Sequence, residues 1–274
     1  MEMESFLRIK ERLDKYTYTS MRYVEFDEIS QYKILYDNEQ VILIYGYNVE
    51  SRHYEYHWAS SKVEDLLDVI DRKKENTLIT FIPREWVDRL NQAGFNIFAV
   101  WNDYHNTDIN SLEYFNLPEP QPLSENECEV ASQITFSCSG QSRGFTGQTT
   151  EWMKKWIQGA EPAAIETGAK NCTAFVHRIN GKIVGVICTA IYAYESDKGP
   201  VAWVREVAVH PSFQRQGIAK ELIMQALYYG KKHSAVRAFL MADECNEHAI
   251  HLYEKLGFKA NKEDIQIDMV FSLQ

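Results

Sequence analysis

The sequence predicts a mixed α/β protein in which each half of the chain forms a central mixed sheet flanked by helices. In both halves, apolar runs of strand length alternate with segments of helical periodicity. A polar stretch with alternating prolines, residues 106–126, separates the halves. The chain has 274 residues, of which 45% are hydrophobic, which is enough for two cores of ordinary size. We therefore predict two domains, residues 1–116 and 117–274.

The first half contains alternating apolar residues bounded by turn residues such as Asp37 and Asn38. This pattern predicts strands at residues 32–36, 41–47, 54–59, 77–82 and 97–101. Helical spacing predicts helices at residues 63–73 and 84–93, and Gly94 ends the second of these.

The second half begins with helices predicted at residues 127–136 and 149–157. The Gly- and Ser-rich residues 137–148 between them predict a loop that could move over a site. Asn180-Gly181 is a strong hairpin signal between two apolar, β-branched runs. The pattern then predicts strands at residues 173–179, 182–192, 201–209, 237–242 and 265–271, with helices at residues 217–233 and 247–256, the latter ended by Gly257.

Composition limits the possible partners. The formal net charge of −10, without a dense Lys/Arg run, disfavours nucleic acid and anionic lipid and suits a cationic or amine-bearing substrate. Acidity that serves only solubility is the alternative. The N-terminal residues lack the features of a signal peptide, and no stretch has the length and apolarity of a membrane span. The 5 cysteines show no C-x-x-C spacing, so we expect no disulfide framework, no metal and a cytoplasmic protein.

The junction between strand 201–209 and helix 217–233 is the best candidate for a ligand site. Its sequence is HPSFQRQGIAKEL, with Gly217 at the start of the helix. A glycine allows close approach of a ligand to the backbone, and the free amides of a first helical turn favour an anion. The junction therefore predicts a pyrophosphate site, although glycine also serves purely structural turns here. A P-loop nucleotidase is disfavoured, because no G-K-[S/T] follows.

Three motifs together resemble the GNAT superfamily of N-acetyltransferases. Residues 214–219, QRQGIA, look like its Q/R-x-x-G-x-G/A signature, with Ala219 in place of the second glycine. Residues 206–211, EVAVHP, resemble the strand that precedes this signature. Residues 246–258 resemble its N-x-x-A-x-x-L-Y-x-x-x-G-F motif. The motifs occur in the family's order, and the resemblance covers about the last 150 residues.

The resemblance implies an acetyl-CoA site in the second half. The backbone of residues 215–219 would hold the pyrophosphate, and the backbone of Val207 and Val209 would pair with the pantetheine arm. Asn246 and Tyr253 would form the other wall. The cofactor-binding residues implied are Val207, Ala208, Val209, Gln214, Arg215, Gln216, Gly217, Ile218, Ala219, Asn246 and Tyr253.

The reaction that the resemblance implies is transfer of an acetyl group from acetyl-CoA to a primary amine. It requires a base, amide donors and an acid. Tyr253 is the candidate acid and Glu206 the candidate base, while either residue could instead serve only the core or the strand surface. Alternative bases are Asp243, Glu244, His210 or a water relay.

Two other classes of function stay open at this point. The second half could be an acyl-CoA sensor or partner-binding module without turnover. A Cys or Ser hydrolase is disfavoured, because no G-x-S-x-G motif is present. The acceptor, beyond an amine, and the oligomeric state do not follow from the sequence.

The first half repeats the predicted order of the second, which suggests a degenerate, noncatalytic copy of the same fold. Residues 57–62 lack the Q-x-x-G-x-G/A pattern, and Leu90 stands where the second half has Tyr253. A similar order of elements without duplication is the alternative.

Overall fold

The chain folds into two units that interleave along the sequence. The computed structural model describes residues 1–49, 52–71 and 76–271, apart from the side chains of residues 262–264. Unit 1 consists of Met1–Trp101 and Ile265–Gln274, and unit 2 of Asn102–Asp264. This division differs from the predicted boundary between residues 116 and 117. The last strand contributes to unit 1 because Met269 and Val270 pair with Ile79 and Leu78.

The helices and strands follow the predicted alternation. The first ten are α1 (Met3–Lys10), β1 (Tyr18–Thr19), α2 (Phe26–Ile29), β2 (Lys33–Asp37), β3 (Val41–Asn48), β4 (His53–Ser60), α3 (Val63–Val69), β5 (Thr77–Ile79), α4 (Val87–Gln92) and β6 (Phe95–Asn106). They are followed by β7 (Gln121–Pro122), α5 (Cys128–Ser137), α6 (Thr150–Gln158), α7 (Pro162–Glu166), β8 (Lys170–Ile179), β9 (Lys182–Tyr192), β10 (Val201–Val209), α8 (Ile218–Lys232), β11 (Arg237–Asp243), α9 (Glu247–Lys255) and β12 (Lys259–Phe271).

In unit 1 the strands lie in the order β2-β3-β4-β5-β12-β6. The sheet is mixed, since β4 and β5 are parallel whereas β3 is antiparallel to both β2 and β4. One core packs around Trp58 and Trp86, and a second contains Phe6 and Ile9 of α1. The sequence did not predict α1, nor the short elements β1, α2, β7 and α7. The predicted helix at residues 63–73 is α3, which ends at Val69, and residues 72–75 lie outside the described residues.

In unit 2 the strands lie in the order β11-β10-β9-β8-β7, again as a mixed sheet. The bounds predicted for β9 and β10 agree with the structure, and the turn between β8 and β9 has Asn180 and Gly181 at positive φ. Helices α8 and α9 cover one face of the sheet and α5 and α6 the other, because alternate strand residues enter two different cores. The predicted mixed α/β class is confirmed. None of the described helices is long and apolar enough to span a membrane.

Candidate active site

The central strands of unit 2, β10 and β11, start parallel and then part. Their register pairs run from Val201 with Arg237 to Trp203 with Phe239, and both strands continue beyond this point without further pairs, although both lie wholly within the described residues. A bulge interrupts the pairing of β10 with β9 at Arg205. Because a bulge bends a strand and increases its twist, it directs the second half of β10 away from β11.

The freed edge of β10 presents backbone groups of Val207 and Val209. The His210 amide donates to the Val184 carbonyl at 2.9 Å, at the end of the antiparallel ladder with β9. Residues in such a ladder alternately face the partner strand and face away from it, so Val207 and Val209 face the gap. The Val209 carbonyl accepts from Gln214 Nε2 at 2.9 Å and from the Cys138 thiol at 3.2 Å. Within the part of the chain that the structure describes, the amide and carbonyl of Val207 have no strand partner on that side.

Helix α8 begins at the end of this edge. Gly217, its N-cap, has φ +86°, and a Cβ built on Gly217 would meet nothing within 4 Å. The amides of the first turn have no intrahelical acceptor and receive no side-chain cap. A cavity of about 270 Å³ adjoins Gly217 and Lys220 and is bounded on its other side by residues 113–118. Open space, free amides and a nearby cation together suit an anion.

Glu206 lies on β10 beside the freed edge and is only 7% exposed. Its Oε1 accepts from Gln148 Nε2 at 2.8 Å and from an Arg205 guanidinium nitrogen at 3.0 Å. Its Oε2 accepts from no other described residue and is not sealed from solvent. Burial raises the pKa of this carboxyl, against the lowering effect of Arg205 and Gln148. A raised pKa suits a general base, because it brings the proton affinity closer to neutral pH.

Tyr253 lies on α9 and is 7% exposed. Its ring packs against Tyr104 and Phe258. Its hydroxyl has no hydrogen-bond partner among the described residues, yet it is not fully enclosed. Burial raises the pKa of the phenol, and the negative charge of Glu206 raises it further. The phenol is therefore protonated at neutral pH, as an acid must be.

The other candidates from the sequence have local partners. Asn246 caps α9 by accepting from the Ala249 amide at 3.4 Å. Asp243 is fully buried and accepts two bonds from the Arg143 side chain, which also contacts Glu244. His210 accepts from the Ser212 amide at 3.3 Å. Since Asp243 is fixed by an ion pair, it is a poorer base than Glu206.

The loop at residues 138–149 contributes residues that the sequence did not single out. Arg143 contacts Asp243 at the end of β11, and Gln148 contacts Glu206 on β10. The loop is thus attached to both parting strands. The Gly- and Ser-rich composition predicted only that it was a loop, since no local pattern shows which distant carboxylates it contacts.

A mixed sheet with parted central strands, a glycine-initiated helix and a carboxylate and a phenol at the gap define the N-acyltransferase class of folds. Residues 143–258 match the Acetyltransferase (GNAT) family. The uncharacterized N-acetyltransferase MJ1207 of Methanocaldococcus jannaschii is 34% identical over 171 residues, covering 59% of this chain and 70% of that protein. The glucosamine 6-phosphate N-acetyltransferase of Trypanosoma brucei brucei is 29% identical over 96 residues, which is 35% of this chain and 63% of the relative.

Fold similarity extends over the whole chain. The solved structure of a GNAT-family acetyltransferase from Colwellia psychrerythraea covers 99% of this chain and 98% of its own, with a TM-score of 0.53 and 13% identity. The chain belongs to the GNAT acetyltransferase family and is an acyltransferase. The resemblance stated from the motifs is therefore confirmed. Enzymes of this family generally use acetyl-CoA.

Proposed function

We propose that unit 2 transfers the acetyl group of acetyl-CoA directly to a primary amine of a small molecule or peptide. The observation that carries this proposal is the freed edge of β10, beside which Glu206 Oε2 and the Tyr253 hydroxyl both lack partners among the described residues. Both atoms are open to solvent within otherwise buried side chains, so a substrate in the gap can displace water and complete their hydrogen bonds.

The cofactor would lie along β10 and end at α8. The backbone of Val207 and Val209 would bond the pantetheine arm as an added strand. The amides of the first turn of α8, from Ile218 onward, would hold the pyrophosphate, assisted by the left-handed conformation of Arg215 and Gly217. This assignment keeps residues 214–219 as the phosphate site expected from the sequence.

The chemistry would require two proton transfers. The neutral amine attacks the thioester carbonyl, Glu206 takes the proton that nitrogen loses, and the Val207 amide is the candidate donor to the oxyanion. The C–S bond then breaks, and the thiolate takes the proton of Tyr253. The phenol regains a proton by way of solvent from Glu206, so the enzyme returns to its starting state. The negative charge of Glu206 also favours approach of a cationic amine.

A panel of amines tests the proposal. Polyamines, aminoglycosides, amino acids, peptide N-termini and glucosamine 6-phosphate are each incubated with acetyl-CoA, and release of the free CoA thiol is followed. We expect release that depends on the amine and that falls in the Glu206→Gln and Tyr253→Phe variants. Binding of acetyl-CoA without amine-dependent release from any member would instead favour a sensor.

A further inference from the structure

The backbone of Gln148 is fastened to α5 by two hydroxyl groups. The Gln148 amide donates to Thr135 Oγ1 at 2.8 Å, and the Gln148 carbonyl accepts from Ser132 Oγ at 2.8 Å. Both hydroxyl-bearing residues are buried. A position held on both its donor and its acceptor has little freedom to shift, so the origin of the Gln148 side chain is fixed.

The loop passes so close to α5 that the residue before Gln148, Gly147, has to be a glycine. Its φ is +87°, and a Cβ there would come within 2.7 Å of the Phe136 backbone nitrogen. Any side chain would both strain the backbone and displace the loop. The loop therefore reaches Gln148 by a route that glycine alone permits.

The side chain of Gln148 acts on one oxygen of Glu206. Gln148 Nε2 and the Arg205 guanidinium both donate to Oε1, at 2.8 and 3.0 Å. The Arg205 guanidinium lies over the rings of Trp152 and Trp203, with its carbon 5.7 Å from each centroid. The two donors both occupy Oε1, and they leave Oε2 as the oxygen open to a substrate.

We propose that Gln148 is a positioning residue that orients the Glu206 carboxylate and presents Oε2 to the acceptor amine. The inference rests on the proposed function, in which Glu206 is that base. It adds a residue outside the motifs of the sequence, and it gives the loop at 138–149 a chemical role.

The groups around Glu206 raise and lower its pKa, and the hydrogen bond from Gln148 is one of those that lower it. Burial raises the pKa of Glu206, and so does Glu161, which precedes α7. Arg205 on β10 lowers it, as does Gln148. The phenol of Tyr253 on α9 and the thiol of Cys188 on β9 are neutral, since burial raises the pKa of each. Of the two groups that lower the pKa of Glu206, Gln148 is the uncharged one, so it can be replaced without removing a charge.

The experiment compares Gln148→Met and Gln148→Glu with Gln133→Met in the full-length protein. Methionine keeps the length of the side chain without a donor, and the backbone anchors to Ser132 and Thr135 remain. Gln133 is exposed on α5 and serves as the matched control. The pKa of Glu206 is read from the carboxyl-carbon NMR signal of labelled glutamate, assigned by its loss in Glu206→Gln.

We expect Gln148→Met to raise the pKa of Glu206 by about one unit, because a donor to the charged form is lost. Gln148→Glu should raise it further by placing a second carboxylate nearby. The control should leave the signal unchanged. An unaltered titration of Glu206 in both Gln148 variants would overturn the inference.

Kinetics separate this inference from the proposed function. With acetyl-CoA and the best amine of the panel, the acidic limb of kcat/KM should move to higher pH by the same amount as the NMR titration. A merely structural role would lower the rate at every pH without moving the limb. If the NMR titration moves while the limb does not, Glu206 is not the base, and the proposed mechanism fails while the positioning contact stands.

Discussion

In each unit a parallel neighbour pairs with only the first part of a central strand, but the edges that remain differ. In unit 1, β4 pairs with β5 only from Tyr54 to Tyr56. Strand β3 covers the other edge of β4 along its whole length. The short strand β1 then pairs with Ala59 and Ser60 on the same edge, beyond the end of β5. In unit 2 the corresponding edge of β10 has no strand partner beyond Trp203 among the described residues.

The bonds of Trp58 show how completely the edge of β4 is used. Its carbonyl accepts from the Ser20 amide at 2.9 Å, and its amide donates to Ser20 Oγ at 2.8 Å. Its indole donates to the Thr80 carbonyl at 2.9 Å. The chain's own residues 18–20 thus occupy the place along β4 that an extended ligand would need. The comparison teaches that, of these two edges, the edge of β10 is the one that the described residues leave available to an extended ligand.

Two further differences agree with this contrast. Helix α3 starts after Lys62, which has φ −138°, whereas α8 starts after the left-handed Gly217. Leu90 of α4 is fully buried and has no hydroxyl, whereas α9 carries Tyr253. We therefore predict that unit 1 binds no acyl-CoA. Its origin as a degenerate copy stays a prediction.

The largest effect is expected on acetyl-CoA binding, from a substitution at the start of helix α8. Gly217→Glu should abolish the stabilisation by acetyl-CoA, which for an intact site is about 2.7 kcal/mol at a ligand concentration 100 times the Kd. The new carboxylate would meet the pyrophosphate. Lys62→Glu, at the start of α3, should keep the full shift in Tm measured with acetyl-CoA. A folded Gly217→Glu protein with an undiminished shift would disprove the phosphate site.

The phenol of Tyr253 should affect turnover. Tyr253→Phe keeps the ring and its packing but removes the proton donor, so kcat should fall on the order of 10- to 1000-fold with little change in acetyl-CoA affinity. Tyr104→Phe, in the neighbouring ring 6.3 Å away, is the control and should retain most of the turnover. Equal rates for Tyr253→Phe and the wild type would make Tyr253 a core residue only.

The buried carboxylates of the two units should respond differently to pH. Burial raises the pKa of Asp268 in unit 1 from 3.8 to about 6. Because the folded state holds this proton more tightly than the unfolded state, the free energy of unfolding should fall as pH rises from 3.8 to about 6. The loss is about 3 kcal/mol at 1.36 kcal/mol per pKa unit.

Urea unfolding at several pH values measures this loss, which Asp268→Asn should remove. The variant should leave the acidic limb of kcat/KM in place, because Asp268 belongs to unit 1. Glu206→Gln should instead eliminate that limb. In the wild type, kcat/KM falls when the pH drops below the raised pKa of Glu206, because the base is then protonated. A limb that disappears in Asp268→Asn would contradict the assignment of the base.

A smaller effect is expected where unit 1 closes its edge. Ser20→Ala leaves the buried Trp58 amide without its side-chain acceptor and should cost about 1–3 kcal/mol of unfolding free energy. Ser61→Ala removes an exposed bond to the Thr17 amide and should be close to neutral. Neither change should alter the Tm shift with acetyl-CoA. A new acetyl-CoA response in Ser20→Ala would show that residues 18–20 mask a second site.

Local patterns predicted the elements around the site well. The apolar run of β10, the Asn180-Gly181 turn and the stripe of α8 are each set by neighbours within a few residues, and the structure agrees with them. Gly217 was predicted at the start of α8 and has the left-handed conformation that favours glycine. The N-terminal helix α1 was missed because it buries only Phe6 and Ile9, too few residues for a clear stripe.

The sequence by itself determined the family, the order of the longer strands and helices around the site, and the place of Gly217, Glu206 and Tyr253 along the chain. Tertiary structure alone decided that β1 closes the edge of β4, that the end of β12 joins unit 1, and that Gln148 reaches Glu206. The physical reason is the range of the interactions. Helix and turn signals act between residues a few positions apart, whereas strand pairing and buried hydrogen bonds join distant residues whose partners are chosen only when the whole core packs.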